Sequence, residues 1–269
     1  MSYLFDPDNW EWLWTGNNFR FLLEGFAINL EIAAIGIVLS LVLGLLLALM
    51  RISRFRLISV PAGIWVDVWR NLPLILTILY LALAVPGAWR DAYEDAIPGW
   101  FPEALHSGLV LGALLALVVY NSAVLCEIMR SGILSLDRGQ REAAASLGLT
   151  YTQQMRFVIL PQGLRRMVPA TVSQLITLIK DTTLVTIIAI AEVIGHAGSI
   201  TSASAFTGAQ APILQVFIVV GLLFVIVNLS LSRLSRRLEI RERKRTGTTT
   251  EMVTGLEDQV ALESDVTGR

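Results

Sequence analysis

Five apolar runs divide the chain, covering about Phe21–Met50, Ile64–Val85, Gly108–Met129, Val168–Ala191 and Pro212–Leu234. A helix rises 1.5 Å per residue, so about 20 apolar residues cross the ~30 Å hydrocarbon layer. Each run meets that length. The pattern predicts an all-α membrane protein with five transmembrane helices.

The stretch between the third and fourth runs is polar, basic and rich in helix formers. Asp137 is placed to cap a first short helix, and Gln140–Leu147 continues it. Gly148 supplies a left-handed stop. Thr150-Tyr151-Thr152-Gln153 then has the form of a capping box. The second helix is expected to run to about Ile159 and end before Pro161, because the residue before proline is pushed out of the helical region. An ordered helical hairpin between spans suits docking to another protein. Ala143, Ala144 and Ala145 permit close approach. Glu142 can pair with a basic partner or with nearby arginines.

Composition agrees with burial in lipid. The 269 residues are 54% hydrophobic and 16% charged, against roughly 25% charged in soluble domains. Net charge is −1, but its distribution says more. Arg51, Arg54 and Arg56 follow the first run. Arg130, Arg138, Arg141, Arg156, Arg165 and Arg166 lie between the third and fourth. Arg233, Arg236, Arg237, Arg241, Arg243, Lys244 and Arg245 follow the fifth. Basic loops stay in the cytoplasm. The N-terminus is therefore expected outside, the C-terminus inside and the hairpin inside. Trp10, Trp12, Trp14, Trp89 and Trp100 fall near the outer ends, where interfacial aromatics gather.

Residues 1–20 read as an extracytoplasmic segment, and their acidic start predicts no signal cleavage. Residues 21–237 read as the transmembrane domain, with the cytoplasmic hairpin at 130–166. Residues 238–269 read as a cytoplasmic, disordered tail, since the stretch from Thr246 has no apolar period.

Glu31, Asp67, Glu127, Lys180 and Asp181 fall within or beside the apolar runs. A charge at the bilayer centre costs about 2.5–3.5 kcal/mol on insertion scales, so it usually faces protein or water. Lys180 and Asp181 are adjacent and point in different directions on a helix. Two readings stand. The helix breaks here, with Asp181 capping a new half-helix at Thr182 and Lys180 adding positive charge for a substrate carboxylate. Alternatively, the pair holds subunits together. Arg70 reads either as a gate or as a side chain reaching cytoplasmic headgroups beside Trp65 and Trp69.

Other chemistry finds little support. His106 and His196 lack ligand-like neighbours, so no metal site is expected. Neither Lys180 nor Lys244 lies in a Gly-x-x-x-x-Gly-Lys-Ser/Thr loop, so this chain is not expected to hydrolyse ATP. Cys126 stands alone and cannot form an internal disulfide. The basic residues follow membrane topology, and nothing points to nucleic acid.

The hairpin reads Glu142-Ala143-Ala144, three residues, Gly148, nine residues, Val158, one residue, Leu160-Pro161. It resembles the coupling loop of permease subunits of ABC importers. Arg70-Asn71-Leu72-Pro73-Leu74, Ser122–Ile133, Lys180-Asp181-Thr182-Thr183-Leu184 and Ala191-Glu192 resemble segments of the amino-acid branch of that family. Asn29, Asn71-Leu72 and Asp137 depart from its usual residues. The tail and Cys126–Arg130 most resemble permeases of actinobacterial glutamate uptake systems.

The resemblance implies a type I ABC importer permease core in the cell membrane. It implies a second permease subunit, identical or different, an ATPase dimer and an extracytoplasmic substrate-binding protein. No cofactor is expected on this chain, with ATP and magnesium on the ATPase. Glu142, Ala143, Ala144, Gly148, Leu160 and Pro161 are the expected coupling residues. Arg70, Pro73, Lys180, Asp181, Thr182, Thr183 and Glu192 are candidates for the translocation path or gate. Glutamate is the expected substrate. Glutamine, aspartate, arginine and histidine are alternatives within the family, and an ion-gradient-driven transporter is the rival outside it.

Overall fold

The computed structural model describes residues 7–14, 16–206 and 212–246. A short 3-10 turn at Pro7–Leu13 leads into α1 (Asn18–Arg51), an unbroken helix of 34 residues. It is apolar on nearly all sides, as a lipid-embedded helix should be. One side buries Leu22, Phe26, Ile32 and Ala48, while Val38, Leu39, Val42 and Leu46 are exposed.

The second apolar run is not one straight span. It forms α2 (Arg56–Asn71) and α3 (Leu74–Ala84), which meet at 107°. Pro73 is the cause in the sequence. Leu72, the residue before it, is extended (φ −83, ψ 136), as steric contact with the proline ring demands. The expected span Ile64–Val85 is thus corrected to a bent pair. Among the described residues, four helices are long and apolar enough to cross alone, and five spans are reached if the bent pair counts as one.

Beyond α3 come α4 (Gly87–Ala96) and a 3-10 turn at Glu103–His106. Arg90 fastens this segment by donating to the Ala82, Leu83 and Val85 carbonyls. Helix α5 (Gly108–Leu134) is the centre of the bundle and packs against α1, α2 and α3. Its inner face buries Ala113, Leu117, Leu125 and Ile133.

The hairpin consists of α6 (Arg138–Ser146) and α7 (Tyr151–Gln154). A π-turn at Met155–Ile159 joins α7 to α8 (Leu160–Asp181) without a stop. The helix expected to end before Pro161 therefore continues. The amide of Leu160 donates to the Met155 carbonyl, five residues back. Proline in an ordinary α-turn collides with the carbonyl four residues earlier, and the wider π-turn just ahead of Pro161 relieves that conflict.

After Asp181 the chain tightens into a 3-10 segment, Thr182–Ile188, and turns at Ala189 (φ 60). A new helix, α9, runs Val193–Phe206, and α10 runs Ile213–Thr246. The expected fourth span, Val168–Ala191, is therefore broken near its end. Helix α10 also passes the boundary expected at Arg237. Residues 238–246 hold good helix formers and neither glycine nor proline. The rest of the tail lies outside the described residues.

Candidate coupling hairpin and translocation path

The hairpin is built from local signals. Asp137 Oδ1 accepts from the Gly139 amide at 2.9 Å, starting α6. The helix closes where the amides of Leu147, Gly148 and Leu149 return to the carbonyls of Ala143, Ala145 and Ala144. That closure needs Gly148 at φ +75, a conformation L-residues with a Cβ resist. Thr150 and Gln153 then complete the reciprocal capping box, at 2.8 and 3.4 Å.

Several contacts attach the hairpin to the bundle. Ile159 packs with Ile133 and Leu136. The Arg54 guanidinium sits 4.3 Å above the Tyr151 ring, and Arg166 donates to the Ser135 carbonyl at 3.0 Å. Within α6 only Ala144 is buried. Glu142, Ala143 and Gly148 face outward with Leu147, which is 80% exposed. Leu160 is half-buried, and Pro161 is exposed. Glu142 makes no ion pair among the described residues, so the pairing with nearby arginines expected as one option does not form. The result is an exposed small-residue surface with one free carboxylate, held on a fixed base.

The path candidates separate into three places. Thr182 and Glu192 meet in a fully buried polar knot with Asn29 of α1. Asn29 Nδ2 donates to Thr182 Oγ1 and to Glu192 Oε2, each at 3.0 Å. Asn29 Oδ1 accepts from the Val193 amide at 3.1 Å. Thr182 Oγ1 donates to the Ile179 carbonyl at 2.7 Å. Glu192 Oε1 accepts from the amides of Ile194 and Gly195, capping the new helix. The knot ties α1 to both sides of the break. Gly25, one turn before Asn29, makes the approach possible, since a Cβ there would lie 2.9 Å from Val193 Cα.

Lys180 and Asp181 sit at the other edge of the break. Lys180 is exposed and Asp181 half-buried. They form no ion pair, and Lys180 has none with any described residue. The expectation that Asp181 caps a half-helix at Thr182 fails. Its side chain caps nothing, and the Thr182 amide already donates to the Leu178 carbonyl. A 3-10 continuation consumes the amides that a fresh helix start would leave free. The free helix start lies at Val193 instead, and Glu192 occupies it. Thr183 donates to the Lys180 carbonyl at 2.8 Å.

Arg70 and Pro73 stand elsewhere. Pro73 makes the α2–α3 bend. Arg70 lies at the rim of an ion cluster, 4.0 Å from Glu127. The cluster's short contacts are Arg51–Glu127 at 2.7 Å, Arg130–Glu127 at 2.8 Å and Arg51–Asp67 at 3.2 Å. It joins the ends of α1, α2 and α5. Asp67 and Glu127 are thereby both paired.

Sequence reasoning did not single out Asn29 as a site residue, nor the Asn121–Gln174 pair, bonded at 2.7 Å between α5 and α8. The available signal was an isolated amide inside an apolar run, where it must find a polar partner.

Comparisons with known proteins agree with this architecture. Residues 40–244 match the family described as binding-protein-dependent transport system inner membrane component. The probable glutamine ABC transporter permease protein GlnP of Bacillus subtilis (strain 168) is 40% identical over 222 residues, covering 82% of this chain and 94% of that one. The glutamate/aspartate import permease protein GltK of Escherichia coli O157:H7 is 33% identical, covering 82% and 93%. The arginine transport system permease protein ArtQ of B. subtilis is 32% identical, covering 81% and 91%. The crystal structure of an amino acid ABC transporter with histidines superposes with a TM-score of 0.67 and 26% identity, covering 83% and 94%. The MetNI methionine transporter shares the fold, with a TM-score of 0.56 and 20% identity over 82% and 95%. The chain belongs to the inner-membrane-component family of binding-protein-dependent transport systems, as a multi-pass permease subunit of an amino-acid ABC importer.

Proposed function

We propose that this subunit moves glutamate into the cell by alternating access, with its N-terminus outside and its C-terminus and hairpin inside. The surface around Glu142, Ala143 and Gly148 docks on an ATPase dimer, which carries ATP and magnesium. A second permease subunit completes the path, and an extracytoplasmic binding protein delivers the substrate. The observation that carries the substrate assignment is Lys180. It is a cation beside a helix break, exposed on this chain and without an ion-pair partner among the described residues. Facing lipid would be costly, so the ammonium belongs on a subunit interface or a wet path. A substrate with two carboxylates suits it there.

Glutamine is the second reading, favoured by the relative at 40% identity that is described as a probable glutamine permease. Uptake of labelled glutamate in cells with and without the chain separates the two, with glutamine, aspartate, arginine and histidine as competitors. Loss of uptake without the chain, competition by aspartate alone, and a specific loss of glutamate uptake in Lys180→Met support the assignment. Competition by glutamine with glutamate transport intact in Lys180→Met overturns it.

A further inference from the structure

A cleft of about 420 Å³ opens between α8 and α10. Its lining changes character along its length. Ile176 and Leu229 form the end nearer the Lys180 end of α8 and the middle of α10. Ser173, Ser232, Arg233 and Arg236 form the end nearer the basic terminus of α10. Ser235 donates across from α10 to the Pro169 carbonyl of α8 at 3.2 Å, and Ser173 donates to the same carbonyl within α8 at 3.1 Å. The Ser232 hydroxyl has no hydrogen-bond partner among the described residues. Arg233 and Arg236 are exposed and make no ion pair among them.

We propose that this cleft binds the headgroup and upper acyl chains of an anionic phospholipid. Two guanidinium groups and a free hydroxyl offer charge-assisted hydrogen bonds to a phosphate. The apolar end continues in the direction the acyl chains take. A free anion would use only the polar end. Basic pockets between membrane helices hold anionic headgroups by this logic. The leaflet follows from the proposed inside position of the C-terminus, so the site lies in the cytoplasmic leaflet.

The test uses the full-length chain, with the subunits that co-purify with it, in mixed micelles of equal phosphatidylglycerol and phosphatidylcholine. Native mass spectrometry reads the lipid retained. Wild type should keep phosphatidylglycerol in preference to phosphatidylcholine. The double variant Arg233→Gln/Arg236→Gln should weaken that retention on the order of thirtyfold, at about 1 kcal/mol per arginine. A control of equal charge loss outside the cleft, Arg56→Gln/Arg165→Gln, should retain it. Should the double variant fold poorly, Ser232→Phe fills the cleft with its charges intact and should also shed the lipid. Equal retention of both lipids, or equal losses in the two double variants, overturns the site. So does inorganic phosphate alone binding as tightly as the lipid, which would make this a simple anion site. A cysteine placed at Gly148 and labelled from each side checks the leaflet separately. Labelling from outside would overturn the leaflet while leaving the lipid result standing.

Discussion

Asn29 and Glu192, 163 residues apart in the chain, share a hydrogen bond of 3.0 Å with no exposure to solvent. The bond joins the first long helix to the cap of the helix after the break. Because Asn29 also serves Thr182 and the Val193 amide, one side chain satisfies three buried groups. Leaving such a group unpaired costs about 1–3 kcal/mol. Asn29→Leu should therefore lower the thermal midpoint of the purified protein clearly, and Leu23→Ala on the exposed side of the same helix should not. Equal midpoints for Asn29→Leu and wild type would sink this account.

The approach of α1 to α9 rests on Gly25. A Cβ there would meet His196 at 2.8 Å and the Val193 backbone at 2.9 Å. Backbone cannot step aside as a flexible side chain can, so Gly25→Ala is expected to cost about 1–3 kcal/mol. Gly221→Ala in α10 is the matched control. Nothing lies within 4 Å of its Cβ, and alanine favours helix by about 1 kcal/mol. Denaturation curves of the two variants should move in opposite directions.

Gly148 tests the hairpin separately from the core. A Cβ at this position meets nothing within 4 Å, yet φ is +75. Gly148→Ala should therefore cost only about 1–2 kcal/mol of local conformational strain. The thermal midpoint of the membrane domain should barely change. ATP-dependent uptake in proteoliposomes should fall several-fold, because the strain distorts the proposed docking surface. Full uptake in that variant would remove the hairpin from the coupling role.

The α4 segment carries a pH signature. Tyr93 donates to the Leu105 carbonyl at 3.0 Å, and burial pushes its phenol from 10.0 up to about 12. The folded segment thus keeps a proton that the unfolded chain releases near pH 10. Its contribution to stability is complete below that pH and is lost as pH rises from 10 toward 12. Absorbance titration should show a phenol component titrating at about 12, and Tyr93→Phe should abolish it.

The parts of this fold that were legible in sequence are those specified by near neighbours. Asp137, Gly148 and the Thr150–Gln153 box act over a few residues, and each behaves as its type dictates. The apolar runs located the long helices for the same reason. Angles and distant partners were less accessible. Pro73 was visible, but the 107° turn also depends on how α2 and α3 pack on α5. Pro161 looked like a stop because the π-turn that accommodates it has no simple signature. Asp181 looked like a cap, but its side chain accepts no amide there and the backbone runs on as a 3-10 segment.

The absence of a stop at Pro161 has a mechanical meaning. From Tyr151 to Asp181 the backbone is helical throughout, a strut of roughly 45 Å at 1.5 Å per residue. Its lower end begins where the hairpin turns, and its upper end stops beside Lys180. Between them no loop offers slack. A push on the hairpin is therefore carried along continuous helix toward the break, and the π-turn and Pro169 are the two places before it where the helix hydrogen-bond ladder is altered.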